Sequence, residues 1–436
     1  MTKKDVLKMI REIQNLDNEK NKTKLLNLFE KFSDTDIQVL IIKKLSTIEG
    51  NELVSFFNNI VNKPGKYSEK VRKEATSAIG RRRDFFIAQK YLIKYLEDNN
   101  PEIVLQAIRG LLVFKKNTEI KNILKDIYRS HENEIIKYVI SNEFKLEKLD
   151  FDTKQSHVKV EEKYKNKVIK GDVLDILNLV ENNSIHLTFT SPPYYNARDY
   201  STYSSYKEYL SFLDSVFREV HRVTKDGRFL IVNTSPVIVS RVGRKYSSKR
   251  YPIPYDLHGV LVKQGWEFID DIIWVKPDAS VKNRIGGFMQ HKKPLMYKPN
   301  GVTEQIMVYR KKSHKLIDWN IRAYDDSVIE ESLVGDDFEK NNVWEIDPVF
   351  DKTHSAVFPY KLCEKIVQYY SFRGDLIFDP FAGSGTLAKA SLDYGRNIFM
   401  TEISDEYFMR IQEKLQQYFE IDYFDYEEFK SYIGGN

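Results

Sequence analysis

The chain has one cysteine, Cys363, which rules out an internal disulfide and argues against a cysteine-rich metal site. Its eight histidines are scattered without metal-ligand spacing, so no metal centre is expected. Long apolar runs are missing too. Stretches such as Phe229–Val232 fall far short of the roughly 20 residues a membrane-spanning helix needs. The opening Met1-Thr2-Lys3-Lys4-Asp5 leads into an amphipathic pattern and not into a secretory signal core, which predicts a cytoplasmic protein with no membrane partner. Neither sign of charge dominates: 68 Lys and Arg face 63 Asp and Glu, a net charge of +5. That balance permits a polyanionic partner without demanding one, and local clustering decides.

The 436 residues predict two or three domains. Residues 1–150 read as helix after helix, with no convincing strand. They carry a weak repeat. Val71, Ala75 and Ile79 lie 32 residues before Ile103, Ala107 and Leu111, Ile135 and Val139 continue the spacing, and Ile37, Ile41 and Leu45 precede it. A small residue within such a stripe lets helices approach closely, and a period of this length suits stacked helix pairs. Val71–Ala75 through Ile79-Gly80-Arg81 looks like a HEAT-type repeat, with an irregular helical bundle as the alternative. The segment is either a structural extension or a binding arm, and Arg81-Arg82-Arg83 is either a phosphate contact or a solvated helix end.

From residue 151 to 436 the pattern changes. After a polar linker, strands at Val168–Lys170, Ile185–Thr190, Arg228–Asn233, Phe268–Val275, Glu304–Tyr309, Asp375–Phe378 and Asn397–Thr401 alternate with helices. Such alternation predicts an α/β fold, a mostly parallel sheet covered by helices on both faces. Ligands of such sheets bind beyond the carboxyl ends of the strands.

Asp379-Pro380-Phe381-Ala382-Gly383-Ser384-Gly385-Thr386 follows an apolar strand and opens a helix. Two glycines there let a ligand approach the backbone, and Glu402, at the end of the next strand, can accept hydrogen bonds from ribose hydroxyls. Alone, this loop also suits a nicotinamide dehydrogenase or a plain strand–turn–helix.

A second motif, Ser191-Pro192-Pro193-Tyr194, ends the strand Ile185–Thr190. Two prolines stiffen the loop and leave its carbonyls free to face a ligand. The amino group of a nucleobase is a poor nucleophile because its lone pair is conjugated with the ring. Fixed acceptors for both amino hydrogens favour a pyramidal nitrogen, and the Ser191 hydroxyl and Pro192 carbonyl can be those acceptors. Tyr194 can stack on the base. In-line attack on a sulfonium methyl then needs mainly positioning.

The two motifs together resemble the amino-methyltransferases of DNA, over roughly Lys167–Phe419. Ser-Pro-Pro-Tyr is typical of the cytosine-N4 branch, whereas adenine-N6 enzymes usually carry Asp first. The catalytic motif precedes the cofactor motif, as in the permuted β group. The resemblance implies a Rossmann-like methyltransferase sheet, S-adenosylmethionine as cofactor, and transfer of its methyl to N4 of a flipped cytosine in double-stranded DNA, with adenine N6 as the alternative target. It implies catalytic roles for Ser191, Pro192, Pro193 and Tyr194. It implies cofactor contacts from Asp379, Pro380, Phe381, Gly383, Gly385, Thr386 and Glu402. Asp172 matches the segment contacting the adenine, and His354, Phe358 and Pro359 match the segment that helps hold the methionine end. For Asp172 a helix cap, and for His354 packing, are the competing readings. Trp274, Lys276, Pro277, Glu304 and Ile306 resemble landmarks flanking a DNA-facing insertion. No nuclease constellation is visible, so a restriction endonuclease, where there is one, is encoded separately.

DNA-facing insertions are expected near 241–256, 278–300 and 313–341. In the first, Arg241, Arg244, Lys245, Lys249 and Arg250 interleave with Tyr246 and Tyr251. Around the second, Lys276, Lys282, Arg284, Lys292, Lys293 and Lys298 surround Phe288 and Tyr297. Cations suit phosphates and aromatics suit bases. The third is acidic and sits where this family often places target recognition.

Overall fold

The computed structural model describes residues 3–13, 18–50, 52–82, 86–146, 158–195, 203–239, 243, 245–246, 248–313, 316–349, 357–418 and 420–435. The chain forms two compact units, Met1–Lys148 and Leu149–Asn436.

Among its described residues the regular elements of the first unit are helices, apart from an isolated bridge between Pro64 and Tyr67. Its α-helices are α1 (Lys3–Glu12), α2 (Asn18–Lys31), α3 (Thr35–Leu45), α4 (Glu52–Val61), α5 (Glu69–Gly80), α6 (Phe86–Lys94), α7 (Pro101–Leu111), α8 (Thr118–Ser130) and α9 (Glu134–Phe144). Asp34, Asn100, Asn117 and Asn133 cap the starts of α3, α7, α8 and α9 through their side chains. Helices α3, α5 and α7 pack on one another in succession, with α4 and α6 beside them. The stripes Ile37/Ile41/Leu45, Val71/Ala75/Ile79 and Ile103/Ala107/Leu111 are all buried between these helices. At the α5–α7 crossing a Cβ on Gly80 would lie 3.1 Å from the Cα of Gly110, so the backbones approach as only small residues allow. The fourth copy departs from the spacing: Ile135 is 54% exposed and the buried residues of α9 include Ile136 and Ile140, one position later.

The second unit holds a nine-stranded sheet. Its elements in chain order are β1 (Lys167–Lys170), α10 (Val173–Asn178), β2 (Ile185–Thr190), α11 (Tyr206–Val223), β3 (Thr224–Thr234), β4 (Val237–Val239), β5 (Lys249–Tyr251), α12 (Ile253–Lys263), β6 (Trp266–Val275), α13 (Gly286–His291), β7 (Thr303–Lys311), α14 (Ile317–Ile321), α15 (Asp326–Glu331), β8 (Val343–Glu345), α16 (Tyr360–Tyr370), β9 (Leu376–Asp379), α17 (Thr386–Asp393), β10 (Asn397–Glu402), α18 (Asp405–Leu415), β11 (Asp422–Asp425) and α19 (Tyr426–Gly434). The spatial order is β11-β1-β10-β9-β2-β3-β7-β6-β8, with β4 and β5 forming a separate hairpin. Within the large sheet, only β7 runs against the others among the described strands. Strands β2 and β9 are buried at every residue, as expected for central parallel strands covered on both faces. One apolar core lies under Phe378, Phe399 and Phe217, and the other under Ile231, Ile377 and Leu387.

The sequence pattern finds the long elements and misses the short ones. Strand β3 starts at Thr224, earlier than the expected Arg228, and strands β4, β5, β8 and β11 are not predicted at all. Strand β11 is a polar four-residue edge strand, Asp-Tyr-Phe-Asp, held beside β1 by backbone pairing and by the ion pair of Asp422 with Lys167.

Candidate functional site

Strands β2 and β9 are neighbours in the sheet although far apart in sequence, with Thr188 paired to Phe378. Beyond this pair the chain order reverses: β3 lies on one side, and β10 and β1 on the other. Such a reversal opens a crevice at the carboxyl ends of the strands. Both motifs lie in it. The Thr190 hydroxyl donates to Oδ1 of Asp379 at 2.6 Å, joining the strand that carries Ser191 to the strand that carries the glycine loop. Asp379 is 1% exposed and also accepts from Phe381 N at 3.0 Å. Burial is the main cause that pushes its carboxyl up to about 7, and Glu402 adds to it by like-charge repulsion.

A cavity of about 320 Å³ occupies the crevice. Its wall includes Asp172, Ser191–Tyr194, Phe358, Asp379–Ser384, Thr386 and Glu402. No Lys or Arg lines it among the described residues, whereas three carboxyl groups do. Glu402 is nine-tenths buried, takes Gly383 N on one oxygen and Ser404 N on the other, both at 2.8 Å, and is raised by burial. Asp172 does two jobs: it lines the cavity and caps α10 by accepting from Leu174 N at 2.8 Å. Phe358 lines the cavity and stacks on Phe189 with ring centroids 4.6 Å apart. Pro359 sits at the start of α16, buried and off the cavity wall. His354 lies outside the described residues.

Gly385 does not line the cavity. Its φ is +70°, and a Cβ there would meet Ile411 of α18 at 3.0 Å, so the position serves helix packing and the turn rather than ligand approach. The Ser384 and Thr386 hydroxyls, 3.1 Å apart, both face Lys414.

On the other side of the Ser191–Tyr194 loop lies a group of polar residues around Glu304, which the sequence pattern treats only as a landmark, and Lys276, which it also expects at the DNA. Glu304 opens β7, which runs antiparallel to β3, and this brings it to the carboxyl edge of the sheet. Its Oε2 accepts from the Tyr194 hydroxyl at 3.2 Å and from Asn233 Nδ2 at 2.6 Å, and its Oε1 pairs with Lys276. The Tyr194 phenol is pushed far up, first by burial and second by the charge of Glu304. Lys276 also lies over the Trp274 ring at 4.9 Å, and only 18% of its side chain is exposed. Its charge is therefore engaged by Glu304, unlike the exposed lysines that follow it. Sheet position was the missing signal, because Asn233 and Glu304 meet only through the β3–β7 register.

The same topology places the insertions. The β4–β5 hairpin leaves the end of β3, and residues 276–302 join the end of β6 to the start of β7, so both rise from the carboxyl edge beside Ser191. Lys245, Lys249 and Arg250 are exposed there, while Arg241 and Arg244 lie outside the described residues. Tyr251 packs edge-on against Tyr195 at 4.8 Å and beside Tyr206 at 4.6 Å, so it braces the end of the Ser191–Tyr195 loop, whereas Tyr246 is 67% exposed. Lys282, Lys292 and Lys293 are exposed and Arg284 is half-buried. The acidic stretch after β7 goes to the opposite edge. The Tyr324 hydroxyl bonds Asp375 at 2.6 Å just before β9, and Glu331 pairs with Arg373 at 3.2 Å.

A doubly wound sheet with a carboxylate-lined crevice at the carboxyl ends of its strands, and the Ser191–Tyr194 loop on its wall, gives the class of the fold. Comparison with known proteins gives the family. Residues 185–413 match the family model described as DNA methylase, N6_N4_Mtase, and the chain belongs to that family. It is similar to the type II methyltransferase M.MwoI of Methanothermobacter wolfeii, 31% identical over 51% of this chain and 29% of that one. It is also similar to the orphan methyltransferase M.BamHII of Bacillus amyloliquefaciens, 30% identical over 54% of this chain and 90% of that one. The chain spans under a third of M.MwoI and of the Bacillus type II beta methyltransferase M.BslI. A Thermus thermophilus protein described as a candidate DNA modification methylase, solved with S-adenosyl-L-methionine, is 25% identical over 59% of this chain and 99% of its own, with a TM-score of 0.47. No helix among the described residues is long and apolar enough to cross a membrane.

Proposed function

We propose that this protein transfers a methyl group from S-adenosylmethionine to N4 of a cytosine flipped out of duplex DNA. The observation that carries the reading is the cavity wall: carboxyl groups of Asp172, Asp379 and Glu402, apolar rings, and no Lys or Arg among the described residues. A pyrophosphate is disfavoured beside three carboxyl groups with no cation, even though the start of α17 offers helix N–H groups. A cofactor with ribose hydroxyls, positive charge and no phosphate fits this wall. S-adenosylmethionine supplies a methyl on a positively charged sulfur. Glu402 is the residue to accept from the ribose, Asp172 faces the base end, and the buried Asp379 favours a cation once it ionises.

The rest falls to the catalytic loop. Ser191 Oγ and the Pro192 carbonyl accept the two amino hydrogens of the target base and free its lone pair. Tyr194, tied by its hydroxyl to Glu304, holds the ring plane. As the N–C bond forms the S–CH3 bond breaks and leaves a neutral thioether, and the methylated nitrogen, then strongly acidic, gives its proton to water, so no strong base is needed at Ser191. A covalent route through a thiolate does not suit this chain. Cys363 is fully buried on α16, and burial holds its thiol far above the ordinary range. The same reading puts the enzyme in the cytoplasm with its DNA substrate, and a separately encoded endonuclease sharing its site is the proposed partner.

The test is mass spectrometry of nucleosides from DNA incubated with the protein and S-adenosylmethionine. N4-methylcytosine is expected. N6-methyladenine would move the target to adenine, and 5-methylcytosine would overturn the mechanism.

A further inference from the structure

Between Asp278 and Glu304 the chain carries no acidic residue but five Lys and Arg: Lys282, Arg284, Lys292, Lys293 and Lys298. This stands out in a unit that from Leu149 onward holds 39 basic and 42 acidic residues. The segment is a built finger. Asn300 pins its base by accepting from Arg284 N at 2.7 Å and donating to Asp278 at 2.8 Å. Phe288 and Tyr297 close its middle, edge to face at 5.2 Å. It rises from the carboxyl edge of the sheet, and its two stems, Lys276 and Glu304, meet beside the Tyr194 hydroxyl.

The tip is a tight turn, Lys293-Pro294-Leu295-Met296, closed by Met296 N donating to Lys293 O at 3.2 Å. Leu295 has a φ of +69° at the third position of this turn, directly after a proline. That arrangement is of the type II kind, whose third position normally belongs to glycine. A leucine there is strained, and this one is also 101% exposed. Met289 and Tyr297, in the same segment, are 63% and 58% exposed. Neither the turn nor the core needs this side chain. A bulky apolar residue held in an unfavourable conformation, fully in water and flanked by lysines, points to a partner with an apolar interior and an anionic surface. Duplex DNA is such a partner.

We propose that this finger enters the duplex beside the target base, and that Leu295 fills the stack as the base leaves it. The lysines hold the flanking phosphates. The proposal rests on the DNA-methylating reading above and adds the residue that drives base extrusion.

The test uses the full chain. The modified position is first mapped in plasmid DNA treated with the wild-type protein. Two short duplexes then carry that site, one normally paired and one with an abasic residue opposite the target, which removes most of the cost of extrusion. Leu295→Gly suits the turn and so preserves the fold while deleting the wedge. It is expected to lower kcat/KM on the paired duplex by about tenfold or more and to stay within about twofold of wild type on the unpaired one. Lys292→Gln with Lys293→Gln is expected to weaken both duplexes alike and flatten the salt dependence. Equal losses of Leu295→Gly on both duplexes, or no loss on either, would overturn the wedge while leaving the methyltransferase reading intact. A wild-type protein that binds cofactor yet modifies no DNA would overturn both.

Discussion

Thr190 and Asp379, separated by 189 positions in the chain, share a 2.6 Å hydrogen bond that joins β2 to β9. The bond fixes the distance between the acceptor loop and the glycine loop. Replacing Thr190 with Val keeps the shape and leaves a buried carboxyl short of one donor, which costs about 1–3 kcal/mol. Chemical denaturation should read that loss, and turnover should fall with it. Thr190→Ser should recover most of both.

The raised carboxyl of Asp379 makes the protein pH-sensitive. Its value of about 7 lies above the 3.8 of an unfolded Asp, so the fold favours the protonated form. Its contribution to stability is complete below about 4 and is lost as the pH rises through about 7. Asp379→Asn should flatten that part of the stability profile. A cation in the cavity reverses the preference. Affinity for S-adenosylmethionine should therefore climb as the pH passes about 7, while affinity for the demethylated product, which lacks the sulfonium charge, changes less. Calorimetry in buffers of different ionisation enthalpy would detect the accompanying proton release, and equal pH profiles for the two ligands would refute the idea.

Tyr194 and Glu304 should act as a unit. Tyr194→Phe retains the ring but frees it from its anchor, so kcat should drop while cofactor affinity holds. Glu304→Gln weakens the same anchor and removes the partner of Lys276. Residues sharing one hydrogen bond are non-additive, so the double variant should be little worse than the worse single one. Additive losses in a kinetic double-mutant cycle would count against a shared role.

Gly385 provides a contrast between fold and function. Gly385→Ala should destabilise the protein by about 1–3 kcal/mol, through its left-handed backbone and the contact with Ile411. The protein that remains folded should still bind cofactor at close to wild-type affinity, because the new methyl faces α18.

Ser191→Ala should cut turnover by about two to three orders of magnitude, since it removes an acceptor felt mainly in the transition state. Titration with cofactor should find its affinity nearly unchanged.

Much of this architecture is legible before any coordinates. Helix α11, Tyr206–Val223, is one of the helices that the strand–helix alternation predicts, because six apolar positions at helical spacing pack on the sheet and Ser205 caps its start. Strands β2 and β9 stand out as short apolar runs ending in Pro and Gly. The short strands were hidden because register rather than composition holds them: Val343–Glu345 pairs with β6 through three residues.

The sequence by itself determined the local pieces: a proline-stiffened loop, a glycine loop, an acid at the end of the following strand, and a lone cysteine on a helix. These are local facts, set by residue type and near-neighbour spacing. The sheet order decided the rest. It set Asp379 against Thr190 and buried it, raised Glu304 to the hydroxyl of Tyr194, turned Lys276 inward, and sent the acidic segment after β7 to the far edge. Each of these depends on which strand lies beside which and in which direction it runs. Packing of the whole chain selects those relations, and no short stretch of sequence encodes them.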